Sequence, residues 1–212
     1  AWKIAQSPDC SQLYIAPGNP GTAELGTNVP IKPTDFEALK SFCLSNQIQM
    51  VVVGPEDPLV HGVVDFFEQD AAVKHIPVIG PNKIAAQMEG SKTFAKAFML
   101  RNNVQTPAYR EFNQSNTDEA INYVKQHSMP VVLKADGLAA GKGVVISNTP
   151  EEAAHELQLM LSGKFGDAGN KVVIEQFLHG IELTVIVLTD GNSYIILPPS
   201  KDYKRIGDGD TG

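Results

Sequence analysis

The sequence predicts an α/β protein that begins with a doubly wound parallel sheet and continues into a smaller α+β domain. Strand and helix patterns alternate from residue 1 to residue 80, as in parallel strands joined by crossover helices. From Pro107 the composition shifts to short strands and two amphipathic helices. Between these helices lies PVVLKADGLAAGKGVVIS (Pro130–Ser147), in which two β-branched runs flank a glycine-rich loop. We therefore expect the second domain to be built around this hairpin.

In the first region, two loops follow predicted strands. Strands are expected at Leu13–Ala16, Met50–Val53 and Ile76–Ile79, and helices up to Gln6, from Asp35 with a Thr34/Glu37 capping box, and near Leu59–Glu68. The loops are Pro17–Thr22 and Gly54–Asp57. Ligands of parallel sheets bind beyond the carboxyl ends of the strands. The residue spacing within these two loops fits ligand-binding loops and ordinary Gly/Pro turns equally well.

A helix is predicted over Ser91–Asn102, with Ser91 as the N-cap. This assignment puts Lys92 in the first turn, where the helix dipole disfavours a cation. An anion bound beside Lys92 would remove that conflict. The alternative is a solvated surface lysine.

The second region contains the remaining predicted elements. Helices are expected over Thr117–His127 and Pro150–Leu161, the latter with Thr149 as N-cap and Glu152 completing a capping box, and strands over Lys171–Phe177 and Leu183–Thr189. Glu175 and Glu182 lie in or beside these strands. Without other information, both are read as solvent-facing strand glutamates.

The hairpin loop carries the chemistry of a polyphosphate site. Glycines let backbone N–H groups approach an anion, and the two nearby lysines, Lys134 and Lys142, supply positive charge. The spacing excludes a P-loop, because three residues separate Gly137 from Gly141 and a strand follows instead of a helix. No dinucleotide fingerprint is present either. The alternative is a hairpin with a flexible turn.

Composition limits the classes of partner. A net charge of −7 argues against nucleic acid, which favours a basic surface. Cys10 and Cys43 are far apart and form no CxxC pair, which favours a reducing compartment and excludes a zinc motif. No apolar run approaches the roughly 18 residues that span a bilayer. We expect a cytoplasmic protein without a nucleic-acid or membrane partner.

Several motifs together resemble the glycinamide ribonucleotide synthetase family of the ATP-grasp superfamily. They occur in the family's order and cover essentially the whole chain: APGNPGT (Ala16–Thr22), GPEDPLV (Gly54–Val60), EGSK (Glu89–Lys92), KADGLAAGKGV (Lys134–Val144), FGDAG (Phe165–Gly169) and KDYKRIGDGDTG (Lys201–Gly212). The resemblance implies four segments: an N-terminal pre-ATP-grasp α/β domain (1–88), a connecting helix (89–106), an ATP-grasp lid (107–180) and the start of the ATP-grasp core sheet (181–212).

The resemblance also implies an ADP-forming ligase of purine biosynthesis that joins glycine to 5-phosphoribosylamine through glycyl phosphate. The implied catalytic residues are Lys92 and Lys134, and the implied ATP-binding residues are Lys92, Lys134, Gly137, Gly141, Lys142, Gly143, Glu175, Phe177, Leu178 and Glu182. The implied substrate-binding residues are Asn19, Gly21, Thr22, Gly54, Glu56, Asp57, Asp202, Lys204 and Asp210. The cofactors would be ATP and Mg²⁺ or Mn²⁺, whose protein ligands we expect beyond Gly212.

Two alternatives remain at this point. One is another ATP-grasp carboxylate–amine ligase or carboxylase with a different acceptor, and the other is a non-catalytic nucleotide-binding module.

The C-terminal segment departs from the family pattern, because Lys201 and Tyr203 replace a glutamine and a histidine that are usual in the family. The chain starts at Ala1 within a predicted helix and stops within a glycine-rich loop, so we expect a fragment of a longer protein. We expect a monomer.

Overall fold

The computed structural model describes residues 1–137, 143–165, 170–203 and 207–208. Its α-helices are α1 (Trp2–Ala5), α2 (Phe36–Ser45), α3 (Glu56–His61), α4 (Val63–Gln69), α5 (Lys83–Gly90), α6 (Lys92–Arg101), α7 (Thr117–Gln126) and α8 (Pro150–Leu159). Its strands are β1 (Tyr14–Ile15), β2 (Thr27–Asn28), β3 (Val51–Val52), β4 (Val78–Ile79), β5 (Tyr109–Asn113), β6 (Val131–Ala135), β7 (Val144–Ser147), β8 (Lys171–Gln176), β9 (Leu183–Thr184), β10 (Val187–Thr189), β11 (Tyr194–Ile196) and β12 (Ser200–Lys201). None of the helices in these ranges has the length and apolar character that a membrane crossing requires.

The N-terminal region has the predicted α/β character. β1 pairs with β2 and β3 pairs with β4, both in parallel. A buried apolar cluster lies where α2, α4 and the β3–β4 pair meet, with Cys43, Val64 and Phe67 among its members. The strand predictions at residues 13–16, 50–53 and 76–79 are confirmed, although each paired segment is only two residues long.

Two details of the predicted helices are wrong. The N-cap of α2 is Asp35, whose side chain accepts a hydrogen bond from the backbone N–H of Ala38 at 3.1 Å. Thr34 does not cap the helix, because the Asp35 N–H closes a turn onto the Lys32 carbonyl and the helix begins one residue later. The single helix predicted near residues 59–68 is two helices, because Gly62 at φ 95° is both the C-cap of α3 and the N-cap of α4.

The α5 helix was not predicted. It starts after Asn82, whose side-chain oxygen accepts from the Ala85 N–H at 2.9 Å. The segment is short, and the preceding Gly80–Pro81 pair suggests a loop. Helix α6 follows directly and has the predicted bounds and the predicted Ser91 cap, since Ser91 Oγ accepts from the Phe94 N–H at 3.2 Å.

The second region forms an antiparallel sheet with the strand order β5–β8–β6–β7. The predicted hairpin is present as β6 and β7, with Val131 opposite Ser147 and Lys134 opposite Val144. One face of this sheet packs against α7 and α8, and the fully buried residues of this core include Leu133 and Ile174 from the sheet and Leu157 from α8. Alternation along β6 and β8 therefore directs Lys134 and Glu175 to the opposite face.

Residues 1–176 and 177–212 form two compact units. In the second unit, the predicted strand over residues 183–189 is divided into β9, which pairs with β12, and β10, which pairs with β11. Both pairs are antiparallel. The exact segment boundaries at 88/89, 106/107 and 180/181 stay predictions.

Candidate active site

Three charged side chains from distant parts of the first unit meet on the face of the sheet opposite α7 and α8. The Lys134 ammonium donates to Glu175 Oε2 at 2.8 Å, and the Lys96 ammonium lies 3.2 Å from Glu175 Oε1. Glu175 is 2% exposed and Lys96 is 6% exposed, whereas 29% of the Lys134 side chain remains accessible. One buried carboxylate thus holds two ammonium groups, and only the Lys134 side chain reaches solvent to a substantial extent.

The backbone register explains how these residues meet. Glu175 in β8 pairs with Val132 in β6, which puts its side chain diagonally beside Lys134. Lys96 comes from α6, and its ammonium also donates to Thr106 Oγ1 at 2.6 Å and lies 5.1 Å from the centre of the Tyr109 ring. Tyr109 is the β5 partner of Glu175. The site therefore requires three neighbouring strands and one helix.

A second group of contacts joins the start of α6 to the end of β6. The Asp136 carboxylate accepts from the backbone N–H groups of Lys92 at 2.6 Å and Thr93 at 3.2 Å, and from Thr93 Oγ1 at 3.0 Å. Ser91 Oγ lies 3.2 Å from the same carboxylate. The Lys92 ammonium donates to the carbonyl oxygen of Gly137 at 3.1 Å. Together, Lys92, Lys96, Lys134, Asp136 and Glu175 make up what we call the lysine–carboxylate cluster.

Burial governs the acid–base properties of two of its lysines. Desolvation lowers the pKa of Lys96 below the ordinary lysine value of 10.5, while attraction to Glu175 opposes that shift. Desolvation also lowers the pKa of Lys92, and attraction to Asp136 opposes it while repulsion from Lys134 adds to it. The cluster has three ammonium groups and two carboxylates, so it retains an excess of positive charge when all are ionised.

A carboxylate of the chain itself lies beside Lys92 at the start of α6. Asp136 occupies the N-terminus of α6, where the sequence had suggested a bound anion or a solvated lysine. Gly137, the next residue, has φ 86°, a backbone conformation that favours glycine. At the other end of the loop, the Gly143 carbonyl accepts from the Ala135 N–H at 2.8 Å. Gly141 and Lys142 lie outside the described residues.

The predicted nucleotide-binding residues beyond β8 belong to the second unit. There the Phe177 ring makes an edge contact with the His179 ring, with 4.9 Å between ring centres, and the Leu178 side chain is exposed. The Glu182 carbonyl accepts from the Asp202 N–H at 3.0 Å. These residues therefore belong to the loops and short strands of the second unit.

The first predicted substrate loop is closed by hydrogen bonds between its own polar groups. Asn19 N–H donates to Thr22 Oγ1 at 2.7 Å, and Thr22 N–H donates to Asn19 Oδ1 at 3.0 Å. Asn28, in β2, donates through Nδ2 to the Asn19 carbonyl at 2.8 Å, and its Oδ1 lies 2.8 Å from Thr22 Oγ1. We call Asn19, Thr22 and Asn28 the amide loop. Gly21 lies within its turn and is exposed.

The other predicted substrate residues are dispersed. Glu56 and Asp57 form the first turn of α3, where Asp57 Oδ1 lies 3.3 Å from His61 Nδ1, and Gly54 precedes that helix. Asp202 belongs to the second unit, and Lys204 and Asp210 lie outside the described residues. Within the described ranges, no three His, Cys, Asp or Glu side chains come together in a way that could hold a metal ion.

Sequence reasoning missed three of the residues that build these sites: Lys96, Asp136 and Asn28. A signal for Lys96 was available, because it follows Lys92 by four residues on the same helical face and stands between two alanines. Asp136 was hidden in an Asp-Gly pair that reads as a turn, and its contact with α6 spans more than 40 residues. The buried position of Glu175 between two lysines excludes the solvent-facing alternative, and its nucleotide-binding role stays a prediction.

Comparison with protein-family models matches the whole chain. Residues 1–89 match the phosphoribosylglycinamide synthetase N domain, and residues 90–212 match the phosphoribosylglycinamide synthetase ATP-grasp (A) domain. Among curated proteins, a phosphoribosylamine–glycine ligase of Yersinia pestis is 47% identical over 214 aligned residues, which cover 100% of this chain and 49% of the relative. The chain thus spans about half the length of the curated relatives of this kind that it matches.

Solved structures agree with this comparison. The crystal structure of a phosphoribosylamine–glycine ligase from Thermotoga maritima aligns with a TM-score of 0.76 at 31% identity, covering 100% of this chain and 49% of that one. An N5-carboxyaminoimidazole ribonucleotide synthetase, solved as an ADP complex, aligns with a TM-score of 0.64 at 17% identity over 92% of this chain and 48% of that one. The second likeness shows the fold alone.

Proposed function

Because the chain belongs to the phosphoribosylglycinamide synthetase family, we propose that its protein is an ADP-forming ligase that joins glycine to 5-phosphoribosylamine. The products would be glycinamide ribonucleotide, ADP and phosphate. Relatives that are 47% identical over the full chain carry the name phosphoribosylamine–glycine ligase, which supports this choice of substrates.

The reaction needs activation of a carboxylate, which is a poor acyl donor. A glycine carboxylate oxygen would attack the γ-phosphorus of ATP, forming an O–P bond as the bond to the ADP oxygen breaks. The amine of phosphoribosylamine would then attack the carbonyl carbon of glycyl phosphate, lose a proton and displace phosphate. Such transfers depend on positioning and on stabilising negative charge more than on a protein nucleophile.

The lysine–carboxylate cluster is the observation that carries this proposal. Its excess positive charge lies at the base of the glycine hairpin, and the Lys134 side chain is the accessible part of the pair with Glu175. An ammonium group has three donors, so Lys134 can keep its bond to Glu175 and still bind a phosphate oxygen. We assign Lys134 and Lys92 to phosphate binding and Lys96 to supporting the Glu175 carboxylate from the buried side.

The remaining predicted site residues keep their roles as proposals. Backbone groups of the glycine loop at Gly137, Gly141 and Gly143, together with Lys142, would contact the phosphates. The segment after Glu175, including Phe177 and Leu178, would contact adenine, and Glu182 would accept from the ribose hydroxyl groups. Asn19, Gly21, Thr22 and the Gly54–Asp57 turn would contact phosphoribosylamine. Asp202, Lys204 and Asp210 would lie at the glycine side.

A divalent cation, Mg²⁺ or Mn²⁺, is expected with ATP in this family, where it neutralises charge on the β- and γ-phosphates. The described residues offer no group of three acidic, histidine or cysteine side chains to hold such an ion. No step is therefore assigned to a metal ligand in this chain.

The proposal is tested by measuring ADP formation with each substrate omitted in turn. We expect ADP to form at a substantial rate only when both glycine and phosphoribosylamine are present. Replacement of glycine by D-alanine or bicarbonate is the matched control, because each still offers an oxyanion that ATP can phosphorylate but changes the acyl group that is activated. Robust turnover with either replacement and no dependence on glycine would contradict the purine-ligase assignment.

A further inference from the structure

Asp136 is a charged residue of the cluster that the phosphate-binding roles do not use. Its carboxylate accepts from two backbone N–H groups and from the hydroxyl groups of Ser91 and Thr93 at the N-terminus of α6, with shortest distances from 2.6 to 3.2 Å. The first N–H groups of a helix have no partner within the helix, and together with the helix dipole they normally attract an anion. In this protein, the Asp136 carboxylate, more than 40 residues further along the chain, satisfies the first two of them.

The position of Asp136 in the chain gives this contact a second consequence. It follows the last residue of β6 and precedes Gly137, the first glycine of the loop. Its backbone N–H donates to the Lys171 carbonyl at 2.9 Å, and the Lys92 ammonium donates to the Gly137 carbonyl at 3.1 Å. The entrance to the loop is therefore attached both to β8 and to the helix that carries Lys92 and Lys96.

We propose that Asp136 is a positioning residue, which fixes α6 and the start of the glycine loop in one register and thereby sets the spacing between Lys92 and Lys134. By filling the N-terminus of α6, the carboxylate also leaves the lysine ammonium groups as the binding partners of an incoming phosphate. Without it, the open N–H groups of Lys92 and Thr93 would attract a phosphate away from its reactive position. The kinetic effect of this inference rests on the proposed function, whereas the contact between Asp136 and α6 does not depend on it.

Two variants separate the charge of Asp136 from its hydrogen bonds. Asp136→Asn keeps an oxygen that can accept from the two N–H groups, and its amide can donate to Thr93 Oγ1. Asp136→Ala removes all of these acceptors. The matched control is Asp35→Ala, because Asp35 also caps a ten-residue helix through its side chain but lies in α2, outside the cluster.

The contact is measured by hydrogen exchange of the Lys92 and Thr93 amides in the purified protein. We expect Asp136→Ala to speed their exchange roughly tenfold or more, the factor associated with losing a hydrogen bond to a charged acceptor. Asp136→Asn should retain most of the protection, and Asp35→Ala should leave both amides unchanged. Unchanged exchange in Asp136→Ala would overturn the proposed anchor.

The kinetic consequence is measured as a split between kcat and KM for ATP. Because the phosphate would still bind but in a wrong position, Asp136→Ala should lower kcat roughly tenfold or more while KM changes less than about threefold. Asp136→Asn should stay within about threefold of wild type in both. A normal kcat in Asp136→Ala, or a rise in KM alone, would overturn the positioning role.

Two further measurements distinguish failure of the Asp136 proposal from misfolding of the variant and from failure of the proposed function. If Asp136→Ala does not fold, Thr93→Val serves instead, because it replaces only the hydroxyl that donates to Asp136 at 3.0 Å. We then expect kcat to fall about threefold. An unchanged kcat in Thr93→Val would overturn the proposal. If wild-type protein forms no ADP with both substrates, the proposed function fails. The amide exchange in Asp136→Ala then still decides whether Asp136 anchors the helix.

Discussion

The lysine–carboxylate cluster and the amide loop each contain residues that the sequence predicts as binding residues, yet the two groups are stabilised in different ways. In the cluster, buried charges are matched across three strands and a helix, and positive charge remains in excess. In the amide loop, neutral groups only nine residues apart satisfy one another near the surface. Loss of one partner should therefore be costly in the cluster, where a charge is left buried, and mild in the loop, where water can replace it.

The sharpest way to test this difference is Glu175→Gln, which removes the one carboxylate shared by Lys96 and Lys134. Breaking a buried ion pair from one side typically lowers the free energy of unfolding by about 3–5 kcal/mol. We expect a loss of that size at neutral pH, measured by denaturant unfolding. The matched control is Glu156→Gln, because Glu156 pairs with Lys164 at 2.7 Å with side chains 22% and 40% exposed, and such pairs contribute about 0–1 kcal/mol.

The same variant should show a distinctive dependence on pH. The folded-state pKa of Lys96 is already below 10.5 because of burial, and loss of Glu175 removes the attraction that opposes that shift. Between the folded-state pKa and 10.5, the unfolded chain binds more protons, so the free energy of unfolding rises with pH. The stability deficit of Glu175→Gln relative to wild type should therefore shrink as pH approaches 10.5. A deficit that stays constant would contradict the assignment to a buried, unpaired Lys96.

The next largest effect is expected for Lys134→Met, which keeps the aliphatic stem and removes the charge. Losing one preorganised electrostatic group typically costs about 100-fold in rate, or roughly 2.7 kcal/mol. We expect kcat/KM for ATP to fall by about that factor or more. Lys125→Met, a change in the last turn of α7, is the control for removing a lysine from the same domain. Near-normal kinetics in Lys134→Met would show that Lys134 is a surface lysine.

The smallest effect is expected in the amide loop. Thr22→Val removes the hydroxyl that accepts from the Asn19 N–H and contacts Asn28. A net loss of about 1 kcal/mol in the free energy of unfolding is expected, since these groups lie near water. Thr27→Val in β2 provides a control with the same chemical change at an exposed position. A loss as large as that of Glu175→Gln would show that the loop is as tightly coupled to the fold as the cluster.

Local signals predicted the elements that depend on nearby residues. The Ser91 and Thr149 caps and the β6–β7 hairpin are each specified within a few residues, and all are confirmed. The cap of α2 was misplaced by one residue, because two adjacent side chains can both cap a helix and the preceding turn decides between them. Gly62 was not recognised as a break because its neighbours continue the apolar pattern.

The candidate site was predictable in its residue types but not in its contacts. Lys134 and Glu175 could be selected from the sequence, whereas their pairing follows from the insertion of β8 between β5 and β6. Strand order of this kind depends on long-range packing and leaves no local signature. The same holds for Asp136, whose partner helix is set by tertiary contacts.

The central claim is that the lysine–carboxylate cluster binds the phosphates of ATP. A crystal structure of the protein with a non-hydrolysable ATP analogue tests it most directly. We predict a phosphate oxygen within about 3 Å of Lys134 Nζ, with the Lys134–Glu175 contact retained and Asp136 still bonded to the start of α6. A bound nucleotide with no phosphate oxygen within about 4 Å of Lys134 or Lys92 would contradict the claim.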